Sequence, residues 1–288
     1  MPLNTSLSFL RIVERWFSLL SKQEVTDAEA RCRHHRRRIL ETSQLLSALH
    51  VAPAFSCLEI VDAIYFYSLN ATSDTFILSK GHGAMAQYAV LEAMGIMSEE
   101  QLNSVCQPGS QIGGHPDRGN PGVIASTGSL GHGLPIAVGL ARADNERGSD
   151  GTVFVVMSDG EFMEGSTWEA LLIAPSIGVT NIVVVVDHNK SISRGEIPVA
   201  HPNMLPLAPK ISAFGWSVAE ADGHSVNEIT TAISQRPRGQ PFALVCHTTK
   251  GRGVSFMENE PIWAYRSPSG DEFVQAMDEL ADPSGDEE

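Results

Sequence analysis

The length and composition of the chain narrow its class before any motif is considered. It has 288 residues, 42% of them hydrophobic, so it can bury a sizeable core and is too long for a disulfide-stapled miniprotein. Its 20 Lys plus Arg and 34 Asp plus Glu give a formal net charge of −14. We expect no broad nucleic-acid binding, because that requires a basic surface. The four cysteines lack CxxC spacing, so the pattern favours neither a zinc site nor a redox motif.

The N-terminus and the hydropathy pattern favour a protein of the reducing cytoplasm. We expect no apolar stretch of 18 residues and therefore no membrane span. Arg11, Glu14 and Arg15 interrupt the apolar residues near the N-terminus. We therefore expect no signal peptide.

The first part of the chain is predicted to be mainly helical. The segments with helical spacing are 6–22, about 27–49, 57–67 and a stretch that ends near Met94. A capping signal at 25–27 is expected to begin the second of these helices, and Pro53 is expected to end that region. A short apolar run at 74–79 precedes the Gly-rich segment 80–83. Residues 108–133 are too rich in Gly, Pro, Ser and His for a regular element and predict a long functional loop.

The second part of the chain predicts an α/β fold. Residues 152–157 and 181–186 are β-branched runs without polar alternation, which is typical of strands buried on both faces. Residues 165–174, with Pro175 expected to end the helix, fit the crossover of a βαβ unit. Two further strands, 216–220 and 242–247, are predicted to flank a helix at 225–234. We expect an open, mainly parallel sheet with helices on both faces.

Polar residues follow the two central strands at the place where ligands bind in such sheets. Asp159 and Gly160 end the first strand, and Asn189 follows the second, so the two side chains are expected to meet outside the carboxyl ends. One carboxylate and one amide oxygen suit a hard cation such as Mg²⁺. Gly160 allows backbone amides to approach a phosphate, and a helix N-terminus follows. The pattern predicts a diphosphate held through a divalent metal, although either segment alone could be an ordinary turn or strand-end cap.

Three longer segments resemble the transketolase family. They are LSKGHGAMAQYAVLEAMG (78–95), GGHPDRGNPGVIASTGSLGHGLPIAVGLA (113–141) and SDGEFMEGSTWEA (158–170). The pair Asp159 and Asn189 also resembles the thiamine diphosphate motif, with Ser158 in place of its first Gly. The resemblance runs from about residue 30 to 265 and is closest to the N-terminal subunit of a split transketolase. A Rossmann dehydrogenase fits poorly, because GSLGHG is not GxGxxG.

The resemblance implies a domain division, two cofactors and a set of site residues. The division is an N-terminal helical extension at 1–26, a diphosphate-binding domain at 27–270 and an acidic tail at 271–288; the cofactors are thiamine diphosphate and Mg²⁺. The implied catalytic residues are His50, His82, His115 and Glu164. The implied cofactor contacts are His82, Gly128, Leu130, Asp159, Gly160, Glu161 and Asn189. The implied metal ligands are Asp159, Asn189 and the carbonyl of Ser191. For His132 the sequence leaves two roles open, a contact with the cofactor or ordinary packing.

One departure from the family pattern affects the expected function. Split transketolases carry a Trp-His-Gly segment where this chain has Trp263-Ala264-Tyr265, so one imidazole is missing. Such a group typically contributes about 10²–10⁴-fold to a rate. We expect cleavage of a ketose donor and ketol transfer between sugar phosphates. The alternatives are delivery of the two-carbon unit to a thiol carrier such as an acyl carrier protein, and a degenerate site that serves only as a scaffold.

The resemblance also implies a partner. Transketolases place the carboxylate that activates the aminopyrimidine ring in their next domain, and the 25 residues after Trp263 cannot build one. We therefore expect a separate subunit with the pyrimidine-binding domain. Because such clefts occur in symmetric pairs, an α₂β₂ heterotetramer is the expected assembly.

Overall fold

A computed structural model of the chain describes residues 19–46, 49–192 and 195–281. The helix predicted at 6–22 lies almost entirely outside these residues, as does most of the extension at 1–26. The acidic residues 282–288 also lie outside them. The description below is confined to the three ranges.

A parallel sheet forms the centre of the fold. The strands of the described residues are β1 (Thr75–Leu78), β2 (Val153–Ser158), β3 (Ile182–His188), β4 (Ser191–Ile192), β5 (Gly195–Glu196), β6 (Ser217–Asp222) and β7 (Phe242–His247). Five of them form one sheet in the order β1-β2-β3-β7-β6, and every pairing in it is parallel. The short strands β4 and β5 pair antiparallel beside it. The four strands predicted from the sequence are confirmed as β2, β3, β6 and β7.

Helices cover both faces of this sheet. They are α1 (Lys22–Ser43), α2 (Val51–Ala63), α3 (Ala84–Ala93), α4 (Glu99–Asn103), α5 (Gly133–Glu146), α6 (Gly165–Ser176), α7 (Ile197–Ala200), α8 (Leu207–Ala213), α9 (Val226–Ser234) and α10 (Asp271–Glu279). Successive side chains of a strand point to opposite faces. Accordingly, Phe154 and Val156 of β2 pack in the core with α1, α2, α3 and α9, whereas Val153 and Val155 pack with α5, α6 and α8. The predicted α/β architecture is confirmed.

Helix α1 begins earlier than the sequence analysis expected. Its N-cap is Ser21, whose hydroxyl accepts a hydrogen bond from the backbone of Glu24 while the Glu24 carboxylate accepts from the backbone of Ser21. This capping box satisfies two backbone donors at once and outweighs the weaker signal at 25–27. The helix ends at Ser43 rather than near residue 49.

The expectation that Pro53 ends a helix was wrong. Pro53 lies in the first turn of α2, where a backbone N–H would have no acceptor within the helix, so the N–H that proline lacks is not needed. Every residue of α2 is buried. Contrary to the expectation from the sequence, residues 51–68 meet the length and composition of a membrane-spanning helix, with a mean hydropathy of 1.2. Of that stretch, 83% is buried inside the fold. Core helices of soluble proteins commonly meet the same criteria.

The expectation that Pro175 ends α6 was also wrong, by a small margin. The helix continues to Ser176. Proline cannot donate to the carbonyl four residues earlier, which here belongs to Leu171. The Leu171 carbonyl instead accepts a hydrogen bond of 2.8 Å from the Trp216 indole. The lost helical bond is therefore replaced.

The domain boundary at residue 271 needs correction. Residues 271–279 form α10, and Ala276 and Leu280 are buried in the core. The guanidinium of Arg37 on α1 donates to the Met277 carbonyl at 2.9 Å. Helix α10 is thus part of the folded domain. The predicted loop at 108–133, in contrast, is confirmed, because it contains no helix or strand before α5 begins.

Candidate active site

A cavity of about 470 Å³ opens at the carboxyl ends of β2 and β3. Most of the residues that the sequence analysis selected line it. The lining includes His50, His82, His115, Gly128, Leu130, Gly160, Glu164, Asn189 and Ser191. Five segments of the chain therefore converge on one pocket: residue 50, residue 82, and the ranges 115–130, 160–164 and 189–191. Asp159 lies directly behind the wall, between the lining residues Ser158 and Gly160.

Asp159 has one carboxylate oxygen without a partner. The residue is completely buried. Its Oδ2 accepts a hydrogen bond of 2.6 Å from the backbone of Lys190 and lies 2.9 Å from His188 Nδ1. Its Oδ1 is buried with no hydrogen-bond partner. Burial raises the pKa of Asp159 above its usual range. A buried oxygen left unsatisfied is costly, so this position favours a bound cation.

Asn189 is held next to Asp159 by its own hydrogen bonds. Its Nδ2 donates to the Ser56 hydroxyl at 3.0 Å, and its Oδ1 accepts from the backbone of Ser191 at 2.9 Å. An amide oxygen has two lone pairs, so Oδ1 retains the capacity for a metal bond. Within residues 19–46, 49–192 and 195–281, no three His, Cys, Asp or Glu side chains cluster as a metal site. A cation here would therefore need amide, carbonyl and phosphate oxygens as well, which is the donor set that Mg²⁺ accepts.

The structure assigns a protonation state to His50. Its Nδ1 lies 2.7 Å from the carbonyl oxygen of Ala264. A carbonyl oxygen can only accept, so Nδ1 carries a proton and the neutral ring keeps its lone pair on Nε2. Burial lowers the pKa of His50, although the Ala264 bond opposes that effect. A neutral imidazole with a free lone pair can accept a proton from a substrate hydroxyl.

Three histidines form an array from the interior toward solvent. The ring of His50 lies 6.3 Å from that of His82 and 5.6 Å from that of His115. Burial, followed by the charge of Lys80, keeps the pKa of His82 well below its usual range. His115 is exposed, and its backbone carbonyl accepts a hydrogen bond of 2.9 Å from the Tyr88 hydroxyl. The array can contact several hydroxyls of one bound sugar.

Two glycines allow the segments 78–83 and 126–131 to meet. A Cβ on Gly81 would lie 2.7 Å from the backbone nitrogen of Gly128, and a Cβ on Gly128 would lie 2.9 Å from the His115 ring. Gly128 also has a φ of 134°, which side chains rarely adopt. Leu130 lines the cavity beside this contact. His132 is exposed and is not among the lining residues.

The two acidic residues implied by the resemblance occupy different environments. Glu161 is completely buried and is not a lining residue. Its carboxylate accepts hydrogen bonds from the backbones of Gly131 (3.1 Å) and Ser158 (2.9 Å) and from the Ser79 hydroxyl. It therefore joins the loops that surround the cavity. Glu164 is exposed at the N-terminus of α6 and lines the cavity edge.

A buried ion pair below the site was missed by the sequence analysis. Lys80 and Asp187 are both completely buried and form a salt bridge. Asp187 also accepts hydrogen bonds from the Ser56 hydroxyl at 2.8 Å and from Thr248. Burial opposes the charge of Lys80, but Asp187 raises the pKa of Lys80 above its usual range. An Asp at the end of a wholly apolar strand was the available signal, because such a charge needs a buried partner.

Lys250 is a second cation that the sequence analysis missed. It lines the cavity, and its Nζ lies 3.5 Å from the Ser191 hydroxyl. Burial, followed by the charge of Lys80, lowers the pKa of Lys250. The preceding residue is anchored, because the backbone of Thr249 donates to His224 Nε2 at 2.8 Å. Lys250 therefore offers a positioned cation to an anionic group in the cavity.

Comparisons with known proteins identify the family of the chain. A family profile described as "Transketolase, thiamine diphosphate binding domain" matches residues 68–280. The chain is 38% identical to one of the subunits of the apulose-4-phosphate transketolase of Actinobacillus succinogenes, over 81% of this chain and 88% of the relative. It is 34% identical to a 6-deoxy-6-sulfo-D-fructose transketolase subunit of Clostridium sp. (strain MSTE9), over 84% of this chain and 91% of the relative.

A solved structure shows the same fold. The transketolase of Leishmania mexicana superposes with a TM-score of 0.77 at 26% identity, covering 91% of this chain. The chain spans only 42% of that protein's length. The family suggested by the sequence motifs is thus confirmed. The chain belongs to the transketolase family, whose members catalyse ketol transfer, and carries its thiamine diphosphate binding domain.

Proposed function

We propose that this chain is the diphosphate-binding subunit of a two-subunit transketolase, and that it holds thiamine diphosphate through Mg²⁺. The observation that carries the proposal is the buried, unpartnered Oδ1 of Asp159 beside Asn189. The proposed metal ligands are this oxygen, the Asn189 amide oxygen and the Ser191 carbonyl, completed by the diphosphate. Gly160 lines the cavity and leaves room for a phosphate to approach the backbone.

The protein's own residues would position the sugar and manage its protons. Bound thiamine diphosphate supplies the electron sink that cleavage of a ketose requires. His50 presents an unprotonated Nε2, so it can accept a proton from a hydroxyl of the donor. His82, which lies deeper, would act next to the cofactor, and His115 would bind hydroxyls nearer the solvent. Lys250 would attract an anionic group of the cofactor or the sugar.

The proposed donor is a ketose that carries an anionic group. Two relatives support this class by name, one acting on apulose-4-phosphate and the other on 6-deoxy-6-sulfo-D-fructose. Both are described as transketolase subunits, and this chain covers 88% and 91% of their lengths. We therefore also propose a separate partner that supplies the pyrimidine-binding domain. Paired active sites would make the assembly an α₂β₂ heterotetramer.

Ketol transfer by the assembled enzyme tests this proposal. The chain would be assayed alone and after co-expression with a pyrimidine-domain subunit from the same organism, using sugar phosphates as donors and both aldoses and carrier-bound thiols as acceptors. We expect turnover only in the assembly, and only with thiamine diphosphate and a divalent metal present. Full turnover by the chain alone would contradict the two-subunit proposal. Transfer to the carrier thiol rather than to an aldose would favour the second function considered from the sequence.

Asp159→Asn provides the corresponding variant, and Asp222→Asn is its matched control. Asp222 also ends a strand of the sheet but is exposed and outside the cavity. We expect Asp159→Asn to abolish metal-dependent activity, because the amide lacks the charge that binds the cation. Asp222→Asn should behave as the unchanged protein.

A further inference from the structure

Tyr265 is an exposed aromatic residue at the mouth of the cavity. Its ring centroid lies 5.2 Å from that of His50, with an angle of 59° between the rings. The residue is 55% exposed, although it lines the cavity. The neighbouring residue, Ala264, is buried and contributes its carbonyl to His50. Tyr265 and His50 thus form adjacent parts of the cavity wall.

The backbone on both sides of Tyr265 is anchored. The Trp263 indole is buried and donates to the Phe256 carbonyl at 2.9 Å. The guanidinium of Arg266 lies 4.7 Å from the centre of the Trp263 ring and pairs with Glu272 at 2.6 Å. Because this backbone is already held in place, a ligand that contacts the ring has to order only the side chain of Tyr265 and not the segment that carries it. Tyr265 is therefore preorganised to contact a ligand.

The order of the rings indicates which part of a ligand Tyr265 can contact. His82 lies on the inner side of His50 at 6.3 Å, and Tyr265 lies on the more exposed side. A substrate whose reacting carbonyl lies near His82 would extend past His50 before it reaches Tyr265. Short substrates would end before that point. The aromatic face offers contact to carbon-bound hydrogens, while hydroxyls remain with the histidines.

From this geometry we infer that Tyr265 is a specificity-determining residue, which packs on the distal carbons of the sugar and selects substrates by chain length. The inference rests on the proposed function, because it takes a ketol acceptor as the occupant of the cavity. The contact is made by the ring face, so the hydroxyl of Tyr265 is not required for it.

The test compares acceptors of two lengths in the assembled enzyme. The acceptors are glycolaldehyde, with two carbons, and a five-carbon aldose phosphate. Tyr265→Ala should raise KM for the five-carbon acceptor by roughly threefold to tenfold, as expected for the loss of one aromatic contact, and should leave KM for glycolaldehyde within about twofold. Tyr265→Phe, which keeps the ring, should restore the lower KM.

Ile262→Ala is the matched control. Ile262 is 60% exposed in the same segment but does not line the cavity, so this variant reports any general loosening of the segment. We expect it to leave both KM values as in the unchanged enzyme. Equal effects of Tyr265→Ala on the two acceptors, no effect on either, or the same change in Ile262→Ala would overturn the inference. An unchanged enzyme that transfers a ketol unit to neither acceptor would instead refute the proposed function.

Discussion

Replacing Lys80 with methionine should destabilise the chain strongly, because it leaves a buried carboxylate without its counter-charge. Lys80 and Asp187 are completely buried, so solvent does not screen their interaction. Removal of one member of such a pair typically costs about 3–5 kcal/mol. The remaining hydrogen bonds from Ser56 and Thr248 to Asp187 would offset part of that loss. We therefore expect a loss of about 3–4 kcal/mol for Lys80→Met.

Equilibrium unfolding in guanidinium chloride, combined with a second substitution, measures this prediction. The double variant Lys80→Met/Asp187→Asn keeps the shape of the carboxylate but removes its charge, so it should recover about half of the lost stability. Lys22→Met, at an exposed position, is the control and should change stability by less than about 0.5 kcal/mol. In Lys80→Met the pKa of Asp187 should rise, so the loss should shrink as the pH is lowered. A loss below about 1 kcal/mol for Lys80→Met would refute the reasoning.

Three further predictions concern other parts of the fold and the site. Burial raises the pKa of Glu59, but the charge of Arg36 outweighs that effect and lowers the pKa to about 2 from its ordinary value of 4.5. The stability that Glu59 contributes should therefore be complete above pH 4.5 and lost as the pH falls toward 2. Unfolding measured across this pH range should show the loss, and Glu59→Gln should remove the pH dependence. Gly128→Ala should cost about 1–3 kcal/mol and weaken cofactor binding, because its Cβ would press on the His115 ring at a φ that alanine rarely adopts; calorimetry that finds unchanged cofactor affinity would contradict this. His115→Ala should lower turnover far more than cofactor affinity, since its ring lies in the solvent-facing half of the array; turnover equal to that of the unchanged enzyme would exclude His115 from the site.

The central sheet could be predicted from the sequence because its signal is local. The runs 152–157 and 181–186 are short, rich in β-branched residues and apolar at consecutive positions, which is typical of strands buried on both faces. Adjacent parallel strands end at the same edge, so the proximity of Asp159 and Asn189 followed from the strand prediction. The structure places both residues there.

The helix boundaries were less predictable, because neighbouring elements decided them. Pro175 is tolerated in α6 since the Trp216 indole replaces its missing donor, and no local pattern reveals that contact. Pro53 was misjudged for a different reason. Proline is unfavourable within a helix but acceptable in its first turn, and the true start of α2 at Val51 carries no capping side chain.

The buried charges of the site could not be paired from the sequence. Lys80 and Asp187 are 107 residues apart and meet only when β3 packs beside the segment that follows β1. The position of Glu161 is a similar case. Its carboxylate ties together three backbone segments, whereas the family resemblance implied a cofactor contact. Both arrangements depend on tertiary packing.

Binding of thiamine diphosphate to the assembled enzyme tests the central claim most directly. Calorimetric titration would be carried out with Mg²⁺ and with the divalent metal removed by a chelator, for the unchanged enzyme, Asp159→Asn and the control Asp222→Asn. The account predicts tight binding only with Mg²⁺, loss of that binding in Asp159→Asn, and normal binding in the control. Binding of equal affinity without the metal, or in Asp159→Asn, would contradict the assignment of the site.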